Sequence, residues 1–194
     1  MVYVAALAIL LGFLVGLALG GSPSRLAALR LRHAWLVLPP LLLQLAIFSP
    51  QGSVLLDPLI GPLHLLSNAL LVPPLYLNRR HVGLLIVGAG LLLNSVVIAA
   101  NGGYMPVSPD ALRAAGMERR IAVLEQQGDS LKATLMTEST PFAFLGDIIP
   151  VPPPIQRVFS VGDVVMALGV VVFIAQGMAS GGLPRSTAAP APER

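Results

Sequence analysis

Two carboxylates flank the start of the chain's last apolar run: Asp147 in "FLGDIIP" and Asp163 in "FSVGDVVMALG", with Arg157 between them. Two carboxyls at one apolar rim can share a proton, because ionising both is costly. One then serves as acid and the other as base, which is how an aspartic hydrolase activates water. A plainer reading stands beside it. Ser160-Val161-Gly162-Asp163 has the spacing of a capping box, with the acid at the third helical position, and Phe159 and Val164 stand where a hydrophobic staple would be. An acid there also complements the helix dipole. Arg157 is placed to pair with either carboxylate, which favours structure or anion binding. Spacing alone leaves these readings open.

The remaining polar candidates are sparse. Asn94 and Gln44 lie inside apolar runs, where polar groups hydrogen-bond across helices or line a path for substrate or ions. With Asn101, Arg157 and Ser160, Asn94 completes the set of candidate binding residues. His33, His64 and His81 have no metal-ligand spacing and read as lipid-headgroup contacts, so no metal is expected. No cofactor is expected either, since no phosphate-binding glycine loop, nucleophile elbow or zinc helix is present. The chain has no cysteine, which excludes disulfides, thiolate catalysis and cysteine-ligated metals.

The elements that must position these residues follow from composition. Of 194 residues, 55% are hydrophobic and 11% charged, against about 25% charged in soluble domains. Apolar runs cover residues 2–19, 34–48, 60–77, 82–100 and 158–178. Such runs indicate membrane helices, the second one short for a span of about 20 residues. The expected fold is an all-α integral membrane protein. Residues 1–100 form four transmembrane helices, 101–157 an extracytoplasmic segment and 158–178 a fifth transmembrane helix, followed by a disordered tail over 179–194.

Charge sets the orientation. Arg25, Arg30, Arg32 and His33 lie between runs one and two, Arg79, Arg80 and His81 between three and four, and Arg185 and Arg194 after run five. All fall on one side if the N-terminus is outside, and that side should be cytoplasmic. The basic residues thus read as topology signals, and no nucleic-acid partner is expected. Gly12, Gly16 and Gly20 recur every four residues and permit close helix contact, with another span or a second copy. Pro39-Pro40 and Pro73-Pro74 interrupt runs two and three at similar depth, a pattern that can mark a transport site.

In the outer segment, Asn101-Gly102-Gly103 predicts a turn and Ser108-Pro109-Asp110 a helix start, the helix running to about Gln127 and stopping at Gly128. The stretch after it is apolar and rich in proline, too short for a span. It is expected to be re-entrant or to lie at the membrane interface, with polyproline over 152–154.

"NGGYMPVS", "FLGDIIP" and "FSVGDVVMALG", in this order with five spans, resemble an uncharacterised bacterial family of multi-spanning membrane proteins, a domain of unknown function. A weaker similarity is to lipoprotein signal peptidase, an intramembrane aspartic protease. Phe159 to Asp163 is similar to its Phe-Asn-x-Ala-Asp motif, and Gly146-Asp147 stands where its first aspartate motif would be. That resemblance implies Asp147 and Asp163 as catalytic residues. Ser160 departs from the motif's Asn, and no spans separate Asn101-Gly102 from the aspartates as they do in the peptidase.

The leading expectation is a non-enzymatic protein of a bacterial cytoplasmic membrane, whose outward polar rim binds a lipid or a partner protein. The alternatives are an aspartic hydrolase using Asp147 and Asp163, and a proton-coupled transporter.

Overall fold

The computed structural model describes residues 2–56, 59–127 and 133–179. Asp57, Asp129, the expected stop at Gly128 and the expected disordered tail, apart from Ala179, lie outside the described residues.

Apolar runs without internal proline form unbroken helices: α1 (Val2–Ala18), α7 (Val82–Ala100) and α10 (Val161–Ala179). The proline pairs break the other two. Pro39-Pro40 sit in the first turn of α3 (Leu38–Ile47), after a 3-10 turn over Ala34–Val37; a short α2 (Pro23–Ala27) precedes both and a short α4 (Pro50–Leu55) follows. Pro73-Pro74 sit in the first turn of α6 (Val72–Leu77), which continues α5 (Ile60–Leu70). A first turn tolerates proline because its N–H groups have no helical partner. Among the described residues, three stretches are long and apolar enough to cross a membrane, Ile60–Leu77, Val82–Ala100 and Val161–Ala179; Val4–Ala18 and Ala34–Ile47 are shorter. The 19 residues of α7 extend about 28 Å, against about 30 Å of hydrocarbon.

Contacts set the helix directions. Gly12 and Gly16 of α1 face Ile174 and Met178 of α10, so these two run parallel. The small residues expected to permit close approach thus do so within the chain. Gly20 has another role: at φ +74° it ends α1, with Gly21 N–H donating to Gly16 O and Gly20 N–H to Leu17 O, the bonds of a Schellman cap. On α7, Gly83 faces Phe173 and Gly90 faces Gly162, so α7 and α10 are antiparallel. Gln44 reaches Ser67 and Asn68, and Phe48, four residues on, meets His64, so α3 is antiparallel to α5.

The chain is not all-α. The outer segment builds a four-stranded mixed sheet of order β2-β1-β3-β4, from β1 (Met105–Val107), β2 (Ala133–Leu135), β3 (Asp147–Val151) and β4 (Arg157–Ser160). β1 pairs parallel with β2 and β3, while β3 and β4 form an antiparallel hairpin. These runs are rich in β-branched and apolar residues and too short for helix periodicity. The proline-rich stretch, expected to lie at the interface, is that hairpin. Pro150 is accommodated because β1 pairs with β3 only at Asp147, leaving the flank at Pro150 free of a ladder. Residues 152–154 begin the reversing loop between Val151 and Arg157, with a cis Pro153–Pro154 bond, instead of extended polyproline.

Ser108 starts a helix as expected, its Oγ accepting from Ala111 N–H. The helix divides into α8 (Pro109–Ala114) and α9 (Glu118–Gln127) at Gly116, φ +69°. Val107, Leu112, Ile121, Leu124 and Ala133 form the core of this cap. Met105 joins Val97 and Ile98, fixing the cap to α7. We call this the sheet end of the helices; the opposite end, carrying Arg25 to Arg32 and Arg79-Arg80, is the basic end.

Candidate functional site

β4 runs straight into α10, and the junction is built by side chains. Ser160 Oγ accepts from Asp163 N–H at 3.0 Å, and Asp163 Oδ2 accepts from Ser160 N–H at 3.3 Å. This is the reciprocal capping box that the spacing predicts. Asn94 of α7 closes it into a ring: its Nδ2 donates to Asp163 Oδ1 at 3.0 Å, and its Oδ1 accepts from Ser160 Oγ at 2.9 Å. Ser160 and Asn94 are buried, Asp163 half-buried. Asn94 reaches across because α7 and α10 touch through glycine. A Cβ on Gly162 would collide with Asn94 Oδ1, and one on Gly90 would come within 2.5 Å of Gly162 O.

The other expected site residues lie on these elements or their neighbours. Asp147 lies directly across the hairpin from Ser160, and its carbonyl accepts from Ser108 N–H at 3.0 Å. The sheet thus sets the two aspartates on adjoining elements, Asp163 one turn beyond Asp147's strand partner. Arg157 is at the other end of the hairpin, opposite Val151, and its Nη1 donates to Gln156 O at 2.8 Å. Asn101 ties the end of α7 to the cap, donating to Val97 O at 2.8 Å and to Pro141 O at 3.1 Å. Each Asp163 oxygen therefore already accepts from a protein donor, which is the chemistry of a joint.

Sequence reading placed the histidines at headgroups, and for His64 the structure corrects this. His64 is buried on α5, its ring edge-on to Phe48 at 5.1 Å and its Nδ1 3.3 Å from Gly103 O. The glycine turn makes this possible, since a Cβ on Gly61 would sit 2.5 Å from Gly102 O. Ser67 and Asn68, buried one turn further, meet Gln44 as a polar layer between α3 and α5.

A second feature was not foreseen. Between α5–α6 and α7 runs a groove of about 520 Å³, within the range of about 300–1,000 Å³ usual for ligand sites. Its walls are aliphatic, including Leu75, Leu84 and Leu92, with Asn68 and Ser95 at one end and Tyr76 and Arg79 at the other. Gly88 lies in the wall, and a Cβ there would meet only Leu75 Cδ1, at 3.8 Å. Gly88 is therefore not a packing glycine; it leaves space. The signal was in the sequence. Gly83 and Gly90 lie seven residues apart on one helix face, whereas Gly88 is rotated about 200° from Gly90. Among the described residues, no three His, Asp or Glu side chains gather in a metal-binding group.

The chain belongs to a family of unknown function, DUF5317, whose model matches residues 28–175. The three motifs that carry the family resemblance all fall inside this range. An uncharacterized protein of Thermotoga maritima is 33% identical over 98 residues, which are 50% of this chain and 52% of that protein. The match therefore spans about half the length of that curated relative. No solved structure matches the chain.

Proposed function

We propose that this member of DUF5317 is a non-enzymatic, multi-pass protein of a bacterial cytoplasmic membrane that holds a lipid chain in the groove between α5–α6 and α7. The groove carries the reading: it is aliphatic along its walls, polar only at its two ends, and widened by a glycine that no neighbour fills. The setting agrees with it. Leu10, Leu42, Leu45 and Leu92 are each more than half exposed around the helices, an apolar surface that a bilayer covers and water does not. All five helical stretches cross in alternate directions in this reading, the second with thinning of the bilayer around it. The N-terminus is outside and the basic end in the cytoplasm. Compared with the expectation from sequence, the lipid reading moves from the polar rim to the groove, because the rim's polar groups bind one another.

Gly88→Phe tests this. Its ring enters the groove, while the α7–α10 contact on the other face is untouched. Native mass spectrometry of the protein extracted in mild detergent should show wild type carrying lipid and the variant carrying severalfold less, with unchanged thermal unfolding. Equal lipid on both proteins would remove the proposal.

Hydrolysis by Asp147 and Asp163 is the second reading, and one observation favours it: the hairpin register that sets Asp147 opposite Ser160. Partner binding through the extracytoplasmic cap and proton-coupled transport have no comparable feature among the described residues.

A further inference from the structure

The groove has a direction, and its basic end has a chemistry of its own. Asn78, buried at the end of α6, accepts from Arg32 N–H at 2.8 Å and donates to Arg32 O at 2.9 Å and Pro74 O at 2.8 Å. One amide thus clamps the loop after α2 onto the turn after α6, bringing Arg32 to the corner occupied by Arg79 and Arg80. Arg79 lines the groove and lies over the Tyr76 ring, 4.2 Å from its centroid, a cation–π contact that sets the guanidinium at the groove's mouth.

Among the described residues, the charge there has no counterpart around it. Residues 2–56 and 59–100 contain no Asp or Glu, so the described part of this end holds arginines and no carboxylate. All five basic residues of the first hundred, leaving histidine aside, are arginine. Lysine would serve orientation equally well; the planar guanidinium is the group that matches a phosphate with two parallel hydrogen bonds. The groove's length adds a further constraint. Along α7 it runs from Leu84 to Ser95, about 16 Å at helical rise, or about half of a 30 Å hydrocarbon core. It is about as long as one leaflet is thick, charged at the basic end and polar at the other, where Asn68 lies mid-way along Ile60–Leu77 and Ser95 lies past the middle of α7.

We infer that the groove takes a phospholipid with a net negative headgroup, its phosphate held by Arg79 with Arg32 and Arg80 beside it, and one acyl chain laid against Gly88. This rests on the lipid-chain reading above and adds the headgroup to it. Asn78 is a positioning residue, acting through Arg32.

The test reconstitutes the full chain with equal amounts of phosphatidylglycerol and phosphatidylcholine, extracts it in mild detergent and counts retained lipids by native mass spectrometry at low salt. Wild type should retain phosphatidylglycerol in preference. Arg79→Gln should lower that preference about fivefold, the contribution of one arginine beside an anionic headgroup. Arg79→Lys should restore part of it, while Gly88→Phe lowers retention of both lipids. If wild type retains the two lipids equally while Gly88→Phe reduces both, the headgroup inference fails and the groove stands. The inference fails likewise if Arg79→Gln leaves the preference unchanged. If Gly88→Phe alters retention of neither, the groove reading itself falls.

Discussion

Asn94, Ser160 and Asp163 form a ring in which each side chain donates to or accepts from the next, and its closure makes specific demands on residue type. Asp163 accepts at both oxygens, from Asn94 Nδ2 and from Ser160 N–H. From the sequence, an amide at 163 would keep the cap. The structure adds Asn94 as a second donor, and an amide has only one oxygen, so in Asp163→Asn one donor must face another. The expected cost is about 1–3 kcal/mol, that of a buried polar group left unsatisfied. Asn94→Ala should cost a similar amount. Because the two share one bond, the double variant should be less destabilised than the sum, by about 0.5–3 kcal/mol. Equilibrium unfolding in detergent measures all three. If Asp163→Asn unfolds like wild type yet abolishes a peptide-cleaving activity, the ring is not structural and acid–base chemistry takes its place. The box was legible because its partners are three residues apart. Asn94 was legible as a cross-helix group, but not its target, which lies 66 and 69 residues away.

Helix–helix contact sorts the glycines of α7 into two kinds. A Cβ at Gly90 would come within 2.5 Å of Gly162 O and 2.7 Å of Met166 N, both main-chain atoms of α10, whereas one at Gly88 meets only a leucine methyl at van der Waals distance. Gly90→Ala must therefore push α10 away, at an overpacking cost of about 1–3 kcal/mol, and strain Asn94's reach to Ser160. Gly88→Ala should be neutral or stabilising by up to about 1 kcal/mol, through helix propensity. Thermal unfolding of the two variants, compared side by side, checks the distinction; equal effects would mean that the seam is not where the backbone contact places it. The helices themselves were readable from apolar runs, and their breaks from Pro39-Pro40 and Pro73-Pro74. The strands were not. β1 and β2 have three residues each, too few to show a period, and their pairing depends on partners far away in the chain. Gly116 was read through as helix interior; its φ of +69° instead allows Met117 N–H to reach Leu112 O, the bond that ends α8.

Across the whole molecule, charge and shape divide along one axis. Every carboxylate among the described residues lies in the cap or at its junction with α10, and Arg25 to Arg32 with Arg79-Arg80 gather at the opposite end. Arg25 also donates to Ala179 O at 3.3 Å, placing a cation at the negative end of the α10 dipole. Between the two ends lie the exposed leucines, the apolar surface that the proposed reading sets against lipid. Helix directions alternate along the chain: parallel contact between α1 and α10, antiparallel contact between α7 and α10 and between α3 and α5. In the proposed reading, five crossings put the chain's two ends on opposite faces, and the arginine-rich short loops put the basic end inside. Because the chain has no cysteine, single cysteines can report this without background. Ser139→Cys, exposed in the cap, should react with a membrane-impermeant maleimide in intact cells. Ala28→Cys, exposed at the basic end, should react only after lysis. The reverse pattern would invert the protein and put the anionic-lipid site in the outer leaflet. Labelling of both in intact cells would mean that the helices do not carry the chain across, and the groove would then face something other than a leaflet.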